Sequence, residues 1–160
     1  MPATRSRRHA LQLAASALLI GLGLTACGGG GSSDSSSGGS TDYSAYGWSN
    51  VTALKIVDTT VGTGASATTG SKATVNYTLY LYDVRVSDTK GTKIDAGTGF
   101  QFTLGANQVI SGFDTGVNGM KVGGSRTVTI PASLAYGSTG QGSVPANAAL
   151  VFDITLTAVN

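Results

Sequence analysis

"FQFTLGANQVISGFDTGVNGMKVGGSRTVTIP", Phe100 to Pro131, changes its periodicity twice. It opens on alternation, with Phe100, Phe102 and Leu104 on one face of a strand. It closes the same way, with Val128 and Ile130 sharing a face before Pro131 ends the run. Between them Phe113, Val117 and Met120 recur at helical spacing behind Ser111, a residue type suited to an N-cap. Gly112 and Gly116 each cost such a helix about 1 kcal/mol relative to alanine, so it is stable only when packed on a sheet. Strand, dependent helix and strand together read as an α+β layer arrangement.

Downstream lies "LAYGSTGQGSVPANAALVFDITL", Leu134 to Leu156. Its second half alternates, sending Leu150, Phe152, Ile154 and Leu156 to one face and Val151, Asp153 and Thr155 to the other. Its first half, rich in Gly, Ser, Thr and Gln, offers nothing to pack, yet Tyr136 stands at its root. Upstream, "LKIVDTTVG" from Leu54 reads as a strand, and "KATVNYTLYLYDVRV" from Lys72 as one long strand with Val75, Tyr77, Leu79 and Leu81 on a face. The expected fold is α+β: an antiparallel sheet, a half-barrel, wrapped around one short α-helix, without internal repeats.

The first quarter of the 160 residues is of another kind. Arg5, Arg7 and Arg8, an apolar run from Ala10 to Leu24 and small residues before Cys27 have the layout of a secretory signal over residues 1–26. Leu24 to Cys27 resemble the lipobox of bacterial lipoproteins, which implies that Cys27 is lipidated and begins the mature chain. Several acyl chains would then hold the protein at a membrane without a spanning helix. Gly28 after the cysteine resembles the outer-membrane sorting pattern, so the expected location is an exported, anchored one, on the periplasmic or surface face of the outer membrane. Residues 27–49 read as the lipidated cysteine and a Gly/Ser-rich linker, and 50–160 as the folded domain. The stretch Gly28 to Asp42 has no apolar residue and should span roughly 20 Å as a flexible tether. Trp48 is expected to cover one edge of the core.

Removing the signal also removes chemistry. The only histidine, His9, leaves with it, and the only cysteine becomes the anchor. Histidine acid–base catalysis, a Ser-His-Asp triad, a cysteine nucleophile and a His or Cys zinc site all lack their residues, so no metal and no cofactor are expected. The mature chain keeps seven Lys and Arg against eight aspartates, a formal net charge of −1, with no basic patch for nucleic acid. "SDTK", Ser87 to Lys90, matches the S-x-x-K spacing of penicillin-binding enzymes but has no partner motif and precedes a turn. "GTGASATTG" and "GTGF" fit neither phosphate-binding spacing and read as turns. The sequons at Asn50 and Asn76 are set aside, the second because it falls inside a strand. What remains is aromatic: Tyr77, Phe100, Phe102, Phe113, Tyr136 and Phe152, with one acid, Asp95, just upstream of Phe100.

In order and nearly in spacing, "VNYT", "KID", the run from Phe100 to Pro131, "LAYGSTG" and "VPANAALVFDITL" resemble the FKBP-type peptidyl-prolyl cis-trans isomerases over Leu54 to Asn160. The resemblance implies an apolar pocket in which the hydroxyl of Tyr136 binds the ligand carbonyl under a glycine-rich flap. It puts Phe113 at the floor, where tryptophan is usual, and Tyr77, Phe100 and Phe152 in the walls. Val109 and Ile110 would flank the floor, Val144 would add to the substrate surface, Ile94 stands where phenylalanine is usual, and Asp95 is the pocket acid. Tyr136, Asp95 and Phe113 carry the implied catalysis: rotation of X-Pro bonds in exported proline-containing polypeptides.

Three departures from the family pattern matter. "LYLYDVRVSDTKGTK" is longer than in compact members and implies an extended hairpin or bulge. Between Asp95 and Phe100 the chain is shorter, and the arginine that usually pairs with the acid is missing, which leaves Asp95 either less constrained or paired with Lys93 or Arg85. Gln141 and Ser143 make the flap smaller and more polar, which argues against a macrolide ligand. Two functional readings stay open: an active isomerase, and a non-catalytic FKBP-fold chaperone or peptide-binding module on the same anchor. A structural β-sandwich lipoprotein would leave the helix and the Tyr136 loop unexplained.

Overall fold

The structure, a computed structural model, describes residues 43–160; the expected signal, Cys27 and the expected linker up to Asp42 lie outside the described residues. Five strands, β1 (Lys55–Thr60), β2 (Lys72–Tyr82), β3 (Lys90–Thr103), β4 (Ser125–Ile130) and β5 (Leu150–Val159), and one helix, α1 (Ser111–Val117), make up the regular structure, with three short 3-10 turns. The strands form a single sheet in the order β1-β4-β5-β2-β3, every neighbouring pair antiparallel. This is the α+β arrangement read from the sequence.

Alternation sets the core. In β2 the side chains of Ala73, Val75, Tyr77, Leu79 and Leu81 are buried, and in β5 those of Leu150, Phe152, Ile154 and Leu156. Helix α1 closes this face, contributing Phe113 and Val117, with Met120 buried just beyond its end. Its two glycines, unfavourable as helix formers, are explained by packing. A Cβ on Gly112 would overlap the side chain of Ile130, and one on Gly116 would stand 3.0 Å from both methyls of Val128. Without side chains at these positions the helix backbone lies directly on β4.

Several local expectations are corrected. Ser111 is not the N-cap: Ile110 holds that position with no side-chain cap, and the Ser111 hydroxyl faces Leu134 O at 3.4 Å. The long second strand ends at Tyr82. Asp83 to Val86 instead turn, held by the Asp83–Arg85 ion pair at 2.8 Å and by Val86 N–H donating to Asp83 O. "GTGF" is not a turn but part of β3, which runs back to Lys90 and completes the extended hairpin that the long excursion implied. The loop before β5 also packs more than its composition promised, since Val144, Ala148 and Ala149 are buried.

Tyr43 to Asn50 form two 3-10 turns against the hairpin. Trp48 is buried, its indole N–H donating to Tyr82 O at 2.7 Å, and Tyr43 stacks on it with ring centroids 4.7 Å apart. It covers one edge of the core, as expected.

Candidate active site

The register between β2 and β3 builds the polar part of the site. Asp95 stands opposite Leu79 and Gly97 opposite Tyr77, on the face that carries the core. The Tyr77 hydroxyl reaches diagonally and donates to Asp95 Oδ2 at 2.7 Å. Gly97 makes this possible, because a Cβ there would lie 2.6 Å from Tyr77 Cε1. The expectation that Asp95 pairs with Lys93 or Arg85 is therefore corrected. Its partner is the neighbouring phenol, and Arg85 is engaged by Asp83 and stacked over the Tyr46 ring, 4.2 Å from its centroid.

Around this pair the rings converge. Phe113 meets Phe152 edge-on at 5.0 Å between centroids, Phe102 at 5.5 Å and Tyr77 at 5.9 Å. Tyr77 in turn meets Phe100 at 5.7 Å and Phe152 at 6.1 Å. Such tilted and edge-to-face pairs contribute about 0.5–1.5 kcal/mol each beyond burial. Phe113, Tyr77 and Phe152 are almost wholly enclosed by one another, at 3%, 8% and 1% exposure, so they shape the floor from beneath. Ile94, Phe100, Val109, Ile110 and Tyr136 are half-buried and pack against the core. Val144 belongs to the buried core.

Sequence reading missed what holds the loop bearing Val109 and Ile110. Gln108 Oε1 accepts from Thr103 N–H and Asp114 Oδ2 from Gly105 N–H, both at 2.8 Å, tying the loop to β3 and α1. An amide and an acid near a turn are a weak sequence signal, because many such residues are merely solvated. The Tyr136 loop is ordered by its own backbone: Gly137 N–H donates to Ala132 O, Asn147 N–H to Gly137 O, and Gln141 and Val144 exchange two hydrogen bonds.

Two clefts open on the surface, the second of them bordering Tyr77 and Gly97 of this cluster. One, of about 500 Å³, is lined by Tyr43, Trp48, Val51 and Pro131; the other, of about 450 Å³, lies over the outer sheet surface beside Thr78, Arg126 and Asp153. Neither contains Asp95, Phe113 or Tyr136, so volume alone does not locate the site. The candidate site is defined instead by the convergence of phenol, carboxylate and rings.

Burial, then the hydrogen bond and charge of Asp95, push the Tyr77 phenol far above the ordinary tyrosine value of 10.0. Burial and then the Asp95 charge raise Tyr136 as well. Both hydroxyls therefore stay protonated, as donors, through the neutral range. The linked effect on stability has a definite sign. Above pH 10 the unfolded chain releases tyrosine protons that the folded chain retains, so stability is level below that value and falls as pH rises toward the folded-state pKa values. Urea melts in the alkaline range should show this fall, and Tyr77→Phe should make it shallower; an unchanged slope would dissociate Tyr77 from it.

Residues 64–157 match the family model described as FKBP-type peptidyl-prolyl cis-trans isomerase. The chain belongs to this family. Among curated relatives of the FKBP-type chain, FK506-binding protein 4 of Neurospora crassa is 42% identical over 106 residues, covering 66% of this chain and 22% of the relative. FK506-binding protein 3 of Candida albicans is 42% identical over 102 residues, covering 64% and 23%. The chain thus spans less than a quarter of the length of either relative. Among solved structures, FkpA from Escherichia coli superposes with a TM-score of 0.57 at 32% identity, over 68% of this chain and 49% of that one. AtFKBP13 gives 0.57 at 30% identity, over 67% and 93%.

Proposed function

We propose that the chain is a peptidyl-prolyl cis-trans isomerase that acts on exported polypeptides from a lipid anchor at Cys27. The observation that carries the catalytic part is the Tyr77–Asp95 pair set among converging rings, with Tyr136 half-buried against the same core. Rotation about X-Pro is opposed by amide resonance, a barrier of about 18–20 kcal/mol, and breaks no bond. The planar amide is more dipolar than the twisted one, so a dry apolar site disfavours the ground state. Rings hold the proline, and the protonated Tyr136 donates to the carbonyl as it turns. Asp95 acts on Tyr77 rather than as a base toward substrate.

A reaction without proton transfer should give kcat/KM that is nearly flat from about pH 6 to 8.5. In a protease-coupled assay on a proline tetrapeptide, Tyr136→Phe should lower the rate roughly three- to tenfold at every pH, the loss of one hydrogen bond. A bell centred near neutrality would overturn this mechanism. A folded chain that binds proline peptides without accelerating isomerisation would instead establish the binding-module reading. The smaller, polar flap residues Gln141 and Ser143 weaken a macrolide complex.

The anchor is supported by the lipobox-like Leu24 to Cys27 and the apolar-free tether after it. Cys27→Ala should move the protein from the membrane pellet to the soluble fraction; full retention in the pellet would remove the lipoprotein reading.

A further inference from the structure

Asp95 and Phe100 are five residues apart on one strand, and in a regular strand residues at that separation point to opposite faces. Both nevertheless face the core side of the sheet. Val75 pairs with Phe100 and Tyr77 with Gly97, so Thr98 and Gly99 together stand opposite the single residue Asn76. This is a β-bulge, and its extra residue reverses the alternation between Asp95 and Phe100. Gly99 takes φ +66°, a conformation natural to glycine, and its N–H, left without a regular partner in the ladder, donates to Asn76 Oδ1 at 2.8 Å. Asn76 pairs with Thr155 of β5 and projects to the outer surface, away from the rings.

We propose that Asn76 is a positioning residue for the site: its carboxamide oxygen fixes the bulge that turns Asp95 and Phe100 to the same face. The proposal rests on the isomerase reading, and it deepens that reading by placing a determinant of proline binding on the opposite side of the sheet. The main chain supplies the Gly99 donor, so any acceptor of the right reach at position 76 serves. Asn76→Asp keeps one; Asn76→Ala does not.

The test compares the mature chain with these two variants in proline-tetrapeptide isomerisation, with Gly99 amide exchange and Tyr77–Phe100 ring contacts read by NMR. Asn76→Ala should raise KM roughly three- to tenfold, the worth of one hydrogen bond, with kcat retained. A merely structural loss would instead lower the folded fraction, and with it kcat, at unchanged KM. Asn76→Asp should restore KM to within about twofold and keep Gly99 protected from exchange. Wild-type KM or intact ring contacts in Asn76→Ala, or equal losses in both variants, would overturn the proposal. An inactive wild type in which Asn76→Ala alone loses the ring contacts would defeat the isomerase reading and leave the positioning role standing. Should Asn76→Ala fail to fold, Asn76→Leu, closer in volume and equally without an acceptor, replaces it.

Discussion

Phe113→Ala is expected to destabilise the domain by about 3–5 kcal/mol, the usual cost of truncating a buried phenylalanine. The upper half of that range is the better expectation here. Phe113 contacts three other rings, and of the α1 side chains only it and Val117 are buried in the core. A cavity at this point cannot be filled by the helix moving inward, because Gly112 already lies against Ile130. A natural domain has about 5–15 kcal/mol of stability in total, so the variant should remain folded only near the edge of its range. Chemical denaturation would measure the loss, and a value below about 1 kcal/mol would mean that Phe113 is not a core residue. Stability and function fall together in this variant, so Phe113→Trp separates them. A larger apolar floor should retain or raise turnover, and a well-folded, inactive Trp variant would remove Phe113 from the site.

How far the sequence discloses this architecture depends on which interaction decides each element. Strands β2, β4 and β5 are legible because one face of each is buried, and burial writes itself as alternation in Val75, Tyr77 and Leu79 or in Phe152, Ile154 and Leu156. Helix α1 is legible in type but not in its start, because its first turn is fixed by packing and by the Ile110 carbonyl rather than by a capping side chain. The early half of β3 is not legible: Lys90 to Thr98 carry no alternating apolar set, and the segment is a strand because β2 offers it a ladder. The candidate site follows the same division. Its rings could be read from their positions, whereas the partner of Asp95 could not, because it depends on a diagonal across two strands. A glycine pair in "AGTGF" resembles a turn when only local conformation is considered. Here one glycine makes room for a ring and the other accepts a positive φ.

That division makes Gly97→Ala the more informative small substitution. In most exposed strands alanine for glycine is neutral or mildly stabilising, since glycine gives up more conformational freedom on folding. At Gly97 the added methyl would lie 2.6 Å from Tyr77 Cε1 and 3.0 Å from Cζ, so the ring must move or the strands must separate. Forced overpacking costs about 1–3 kcal/mol. The ring cannot swing freely, because Phe100, Phe113 and Phe152 surround it, so its hydroxyl leaves Asp95 and a hydrogen bond to a charged group, worth about 1.5–3 kcal/mol, is lost as well. Together these come to about 2.5–6 kcal/mol, which far exceeds the gain in chain entropy. The variant should unfold at lower denaturant, and its alkaline loss of stability should become shallower because Tyr77 no longer faces the carboxylate. Tyr77→Phe supplies the control: it removes the hydrogen bond but leaves the ring in place, so its loss should be the smaller of the two. Equal losses in the two variants would mean that the hydrogen bond alone matters and that Gly97 has no steric role. A Gly97→Ala variant as stable as the parent would show that the ring does not rest on this glycine, and the assignment of Tyr77 and Asp95 to one fixed pair would fall with it.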